Sequence, residues 1–292
     1  MVKTTSHFTN KRGQKLYWVA HTPDNGDEVK AVVFWHHGLG EYVDRFDATF
    51  KVWTDAGIAV YGFDVHGMGL SEPSKASDRI LVKKFAYLQD DAIQFLEEVL
   101  QPALKASGCD SKPLFMAGNS LGGLVSSHVV LQRPDTFAGL LMQSPAIDVE
   151  WTPMLKFQAA VGNILAAMVP RAELVPAVRP EDMSQDPAVV QAYLDDPLIP
   201  KGNVKAQTGN ECLKGFRALV PLRKQFKLPI YAVHGTDDKC TSLPALREHL
   251  KHVSSTDVTL KEVPQGRHEL LFGPEKDEVR AEMRDWILAR AK

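Results

Sequence analysis

The stretch LFMAGNSLGGLV, from Leu114 to Val125, decides the fold. An apolar run with strand character meets a Ser boxed in by glycines, then turns apolar again. Gly118-Asn119-Ser120-Leu121-Gly122 is a G-x-S-x-G pattern between an expected strand and an expected helix. That is the setting of a nucleophile elbow. A strand turns sharply into a helix with Ser120 at the apex, and side chains two residues to either side would collide there. The turn aims the hydroxyl and the free N–H groups of the helix start at one point.

Working outward, expected strands and helices alternate. Lys15 to His21, Ala31 to His37, Ile58 to Asp64, Lys112 to Gly118, Phe137 to Pro145, Leu228 to Gly235 and Val258 to Pro264 read as strands. Phe85, Leu88, Ile93, Leu96 and Leu100 recur at helical spacing within residues 83–104. Further helices are expected over residues 120–134, 243–253 and 279–291. Strands in single file with helices between them predict an α/β fold, a mostly parallel central sheet flanked by helices. The alternation fails between residues 148 and 219, where no strand is expected. An inserted helical cap is read there, dividing the chain into core residues 1–147, cap 148–219 and core 220–292. Asp186 followed by Pro187 predicts an N-cap inside that segment.

A Ser hydroxyl needs a base, and the base needs an orienting acid, in the chain order Ser, acid, His. HGTDDK (residues 234–239) puts Asp237 and Asp238 in the loop after one expected strand, and GRHELL (266–271) puts His268 after the next. The expected catalytic residues are Ser120, Asp238 and His268. Asp238 is chosen over Asp237 because two adjacent acids do not readily both enter one site. HHGLGE (36–41) follows a strand near the start, so the backbone N–H groups of Leu39 and Leu121 are the expected oxyanion donors. No His pair has metal-ligand spacing, and no metal or cofactor is expected.

Composition narrows the partners. The 292 residues carry a formal charge of -2 and a pI near 6.6, which gives no basic footprint for nucleic acid. Hydrophobic residues make up 44%, enough for a sizeable core, yet no run is long enough to span a bilayer. The first residues lack the apolar run of a secretory signal. Cys109, Cys212 and Cys240 are scattered and odd in number, which predicts reduced thiols and a cytoplasmic setting, with peripheral membrane contact as an option.

Taken together, HHGLGEYVDRF, GFDVHGMGLSE, GNSLGG, DDPLI, HGTDDK and GRHELL resemble the α/β-hydrolase group that holds monoacylglycerol lipases, lysophospholipases and plant-type esterases, of the serine aminopeptidase S33 type. The resemblance covers nearly the whole chain in order. It implies Ser120, Asp238 and His268 as a triad, with Leu39 and Leu121 at the oxyanion hole. The chain departs from many relatives in having Asn119, where they have His, before the nucleophile.

The expected activity is a serine carboxylic-ester hydrolase releasing fatty acid from a monoacylglycerol. The alternatives are a lysophospholipase, a phenylpropanoid esterase, or a non-catalytic ligand-binding protein on the same fold. The expected partner is a small amphiphilic ester. Residues 151–169 hold too many apolar side chains for a one-sided helix, so Trp151, Leu155 and Ile164 are expected to line an acyl tunnel.

Overall fold

A computed structural model describes residues 1–24, 29–149, 153–175 and 178–291. Its centre is an eight-stranded sheet. In chain order the strands are β1 (Val2–Thr9), β2 (Lys15–Thr22), β3 (Ala31–His36), β4 (Ile58–Phe63), β5 (Leu114–Asn119), β6 (Gly139–Gln143), β9 (Ile230–Gly235) and β10 (Val258–Val263). Their spatial order is β1-β2-β4-β3-β5-β6-β9-β10. From β4 onward neighbouring strands are parallel, while β1 and β2 run antiparallel. Strands β3, β4, β5, β6 and β9 are buried along their whole length, as strands covered on both faces must be.

Each face of the sheet carries its own apolar cluster. One holds Phe34, Phe63, Phe95, Leu96, Val125 and Val129 against α2 (Phe85–Phe95) and α4 (Leu121–Gln132). The other holds Trp35, Phe50, Trp53, Met283 and Ile287 against α1 (Asp47–Thr54) and α9 (Lys276–Arg290). The remaining covering helices are α3 (Gln101–Ala106) and α8 (Leu243–Lys251).

Strand β1 is absent from the sequence expectation. Its residues, VKTTSHFT, are nearly all exposed and show no apolar alternation, yet they pair with β2 from Val2↔Thr22 to Thr9↔Lys15. The helix expected over 83–104 is also divided: a π turn, Leu96–Leu100, joins α2 to α3.

Between β6 and β9 no described residue joins the main sheet. This segment contains α5 (Pro153–Met168), α6 (Pro187–Asp195) and α7 (Ala206–Leu219). Asp186 caps α6 through its Oδ1, which accepts the Ala188 N–H at 2.8 Å. The expectation of no strand here is corrected: β7 (Glu173–Val175) and β8 (Val204–Lys205) form a short antiparallel pair. Runs of three and two residues are too short to leave a period in sequence.

Candidate active site

Ser120 sits between β5 and α4 at φ 50°, ψ −124°, a conformation that L-residues seldom adopt. The flanking glycines explain how the turn closes. A Cβ on Gly122 would lie 2.0 Å from the His36 carbonyl oxygen, and one on Gly118 would lie 2.6 Å from the Gly122 carbonyl carbon. The elbow is tied to β6, where the Ser120 N–H donates to the Gln143 carbonyl at 3.0 Å.

His268 and Asp238 arrive from the loops after β10 and β9. His268 Nδ1 lies 2.8 Å from Asp238 Oδ2. An ionised carboxylate only accepts, so Nδ1 carries the proton and Nε2 is left as a lone-pair base. The Asp238 side chain is fully buried, and its Oδ1 accepts the N–H groups of Cys240 at 2.7 Å and Thr241 at 3.0 Å. Thr241 Oγ1 donates to Oδ2 at 2.9 Å. Burial opposes the charged form of Asp238, but attraction and hydrogen bonding from His268, with His234 and the Thr241 amide, outweigh it and hold the carboxyl well below its usual range. Burial likewise favours neutral His268, yet Asp238, with Glu41 and Glu269 beyond it, raises the imidazole pKa. Asp237 is exposed, and its Oδ1 accepts from Thr236 Oγ1 at 3.3 Å.

The loop after β3 is held by its histidines. The Val65 N–H donates to His37 Nε2 at 2.9 Å, so His37 Nδ1 donates to the Gly38 carbonyl at 2.8 Å. Burial pushes His37 down to about 3, so the ring stays neutral and this pair of bonds persists. A Cβ on Gly38 would lie 3.0 Å from Ser120 Cβ, so the loop passes directly against the elbow. Among the described residues, neither the Leu39 nor the Leu121 N–H is given to a protein acceptor. Both residues line the same cavity as Ser120 and His268.

That cavity measures about 670 Å³ and reaches from Ser120 into the segment between β6 and β9. Leu165, Leu174, Val178, Leu213 and Phe216 give it apolar walls. The expected tunnel residues are not borne out as a set. Ile164 is 61% exposed and does not line the cavity; Gly162 and Leu165, on the neighbouring positions of α5, do. Helix α5 is turned so that Ile164 and Met168 face outward, an orientation that an all-round apolar sequence cannot reveal. Trp151 and the Leu155 side chain lie outside the described residues.

Sequence reasoning did not single out Glu41, Arg45 and Glu269. Arg45 Nη1 donates to Glu41 Oε2 at 3.1 Å and to Glu269 Oε1 at 2.9 Å. The available signal was the placement of two acids, one in the loop carrying Leu39 and one beside His268. No helix among the described residues is long and apolar enough to cross a membrane.

The sheet order, the elbow at the carboxyl end of β5 and the interrupted second half define an α/β-hydrolase. Within that class the chain belongs to the family described as Serine aminopeptidase, S33, matched over residues 27–275, and is a serine ester hydrolase. It is 26% identical to the monoacylglycerol lipase of Mycolicibacterium smegmatis over 97% of this chain and 96% of that relative. It is 29% identical over 89% of its length to an uncharacterised abhydrolase domain-containing protein of Dictyostelium discoideum, of which it spans only 26%. Among solved structures, a soluble variant of monoglyceride lipase from Saccharomyces cerevisiae, in complex with a substrate analogue, superposes with a TM-score of 0.86. The overlap covers 100% of this chain and 97% of that one at 21% identity, a likeness of fold.

Proposed function

We propose that the protein hydrolyses monoacyl esters, with monoacylglycerol as the leading substrate, through an acyl-enzyme on Ser120. The observation that carries the reading is the shared cavity: a positive-φ Ser and the His of a buried His–Asp pair open on one apolar chamber. The name of the Mycolicibacterium relative points the same way.

In this reading His268 Nε2 takes the Ser120 proton while Oγ attacks the ester carbonyl carbon. The N–H groups of Leu39 and Leu121 receive the oxyanion. His268 then protonates the leaving alcohol, and the C–O bond breaks. Water enters, gives a proton to His268 and releases the fatty acid, and Ser120 regains its hydrogen. Asp238 holds the imidazole tautomer and steadies its charged form. The reaction draws on no cofactor. Residues 148–219 act as a cap between core segments 1–147 and 220–292. The exposed apolar residues Ile164, Met168 and Val169 on that cap suit brief contact with a lipid surface.

The test is a kcat/KM comparison across monoacylglycerols, lysophospholipids and aromatic esters, with Ser120→Ala and His268→Ala as controls. Each substitution should cut turnover by about 10³ or more, and the double mutant should be little worse than either. Substantial turnover by folded Ser120→Ala protein would remove the nucleophile assignment.

A further inference from the structure

Three loops meet at the cavity, and one chain of buried polar contacts threads all of them. Glu41 stands shortly after Leu39 in the loop behind β3. Its Oε1 accepts from Asn119 Nδ2 at 2.9 Å, and Asn119 immediately precedes Ser120. Its Oε2 accepts from Arg45 Nη1 at 3.1 Å. Arg45 then forks onto Glu269, Nη1 to Oε1 at 2.9 Å and Nη2 to Oε2 at 3.2 Å, and Glu269 immediately follows His268.

This chain is an expensive thing to bury. The side chains of Glu41, Arg45 and Glu269 are 5%, 8% and 3% exposed. Burial raises the Glu41 carboxyl above its usual range against the pull of Arg45 and the Asn119 hydrogen bond, and apolar residues of similar volume often stabilise a fold as well or better. What a forked guanidinium adds is direction, because two parallel N–H···O bonds fix the plane and reach of both partners. The fork is itself held by the Phe272 ring, 4.6 Å from the guanidinium carbon. The main chain around Glu269 is pinned as well. Its N–H donates to the Met183 carbonyl at 2.8 Å, and the His268 carbonyl accepts from Gln143 Nε2 at 2.7 Å and Ser144 Oγ at 2.9 Å. The Glu269 carboxylate is therefore the direct side-chain tie from the His268 loop to the Leu39 loop and, through Asn119, to the elbow.

We infer that Glu269 is a positioning residue, acting through Arg45, Glu41 and Asn119 to set the His268 ring against Ser120 and the Leu39 amide. The inference rests on the serine-hydrolase mechanism proposed above. In this chain the residue before the nucleophile is part of the tie, since Asn119 offers the amide that Glu41 accepts.

A second consequence is electrostatic. His268 is faced by the acids Asp238, Glu41 and Glu269, with Arg45 lying between the two glutamates, His234 on the β9 side and the Cys240 thiol beside it. Removing one negative charge from this set weakens the hold on the imidazolium and moves its titration to lower pH.

The experiment measures the rate at which a small, chainless fluorophosphonate labels Ser120 across a pH series, with Tm recorded for each variant. Glu269→Gln should label about tenfold more slowly or worse on the pH plateau, since small misplacements near reacting atoms are costly. The midpoint of its rise should also move to lower pH. Arg45→Lys keeps the charge but loses the fork, so it should lose plateau rate while its midpoint stays near that of the parent. A folded Glu269→Gln protein that labels within about twofold of the parent, or whose midpoint does not move, overturns the inference. Should Glu269→Gln fail to fold, Arg45→Lys decides alone, and near-parental labelling there overturns it. A parent protein that does not label at all instead removes the serine-hydrolase mechanism, a failure distinct from the first.

Discussion

Ser120 keeps a strained backbone because its neighbours leave no other course. The two elbow glycines were legible as a motif, and the geometry gives each a reason. The Gly122 position faces main-chain oxygens of His36 and His37, which cannot swing away as a side chain could. Gly122→Ala should therefore cost about 3 kcal/mol or more, read as a lowered denaturant midpoint or as insoluble protein. At the acid, sequence left two adjacent candidates, and burial separates them. Asp238 is enclosed by the His268 ring, two amides and a hydroxyl, while Asp237 stands in solvent. Asp238→Asn should lower kcat by orders of magnitude, since the amide can stabilise the wrong imidazole tautomer, whereas Asp237→Asn should leave it near the parent. Equal effects of the two would undo this distinction. The pH response follows from the raised His268 pKa. A base must be neutral to accept a proton, so activity is lost as pH falls through the folded value. That value lies above the ordinary imidazole pKa of about 6.5, and the acid limb of kcat/KM should lie correspondingly high. A limb centred below the ordinary value would contradict the electrostatics described.

At the scale of elements, legibility followed periodicity. The strands that became buried on both faces, β3 through β6 and β9, stand out in sequence as apolar runs. Strand β1 did not, because its stability comes from pairing along an exposed edge rather than from burying a face. Nor could sequence show how α7 is fastened to the core. Lys84 at the N-cap of α2 gives no side-chain cap. The missing acceptor comes from α7, where Glu211 Oε2 takes the Phe85 N–H at 2.8 Å. Thr208 Oγ1 takes the Val82 N–H at 3.0 Å. A carboxylate at a helix start also meets the positive end of the helix dipole. Glu211→Ala leaves a buried donor without its partner, and the expected loss is about 1–3 kcal/mol. Chemical denaturation of the intact chain measures it. An unchanged midpoint would mean that the α2 start relaxes without Glu211.

At the scale of the whole molecule, the chamber joins chemistry to substrate choice. The proposed catalytic residues come from turns and loops that follow strands of the sheet, and most of the apolar wall comes from the segment between β6 and β9. Sequence marked that segment as apolar and helical but could not tell which side of α5 faced inward. The geometry makes the distinction testable with two adjacent residues. Leu165 lines the chamber while remaining 41% exposed, and Ile164 is 61% exposed and lines none of it. If an acyl chain fills the apolar part, each buried methylene contributes up to about 0.8 kcal/mol, or roughly fourfold in kcat/KM, until the space is used. A series of monoacylglycerols of rising chain length should then climb steeply from the acetyl ester and level off. Leu165→Asp places a charge in the wall and should flatten the climb, because a chain packed against it would strip water from the carboxylate. Ile164→Asp should leave the climb intact for dispersed substrate and weaken only binding to lipid vesicles, measured by co-sedimentation. The two readouts separate tunnel from surface. A chain-length profile that Ile164→Asp flattens and Leu165→Asp spares would reverse the assignment of the two faces of α5, and a profile flat in the parent protein would turn the search toward short or aromatic esters.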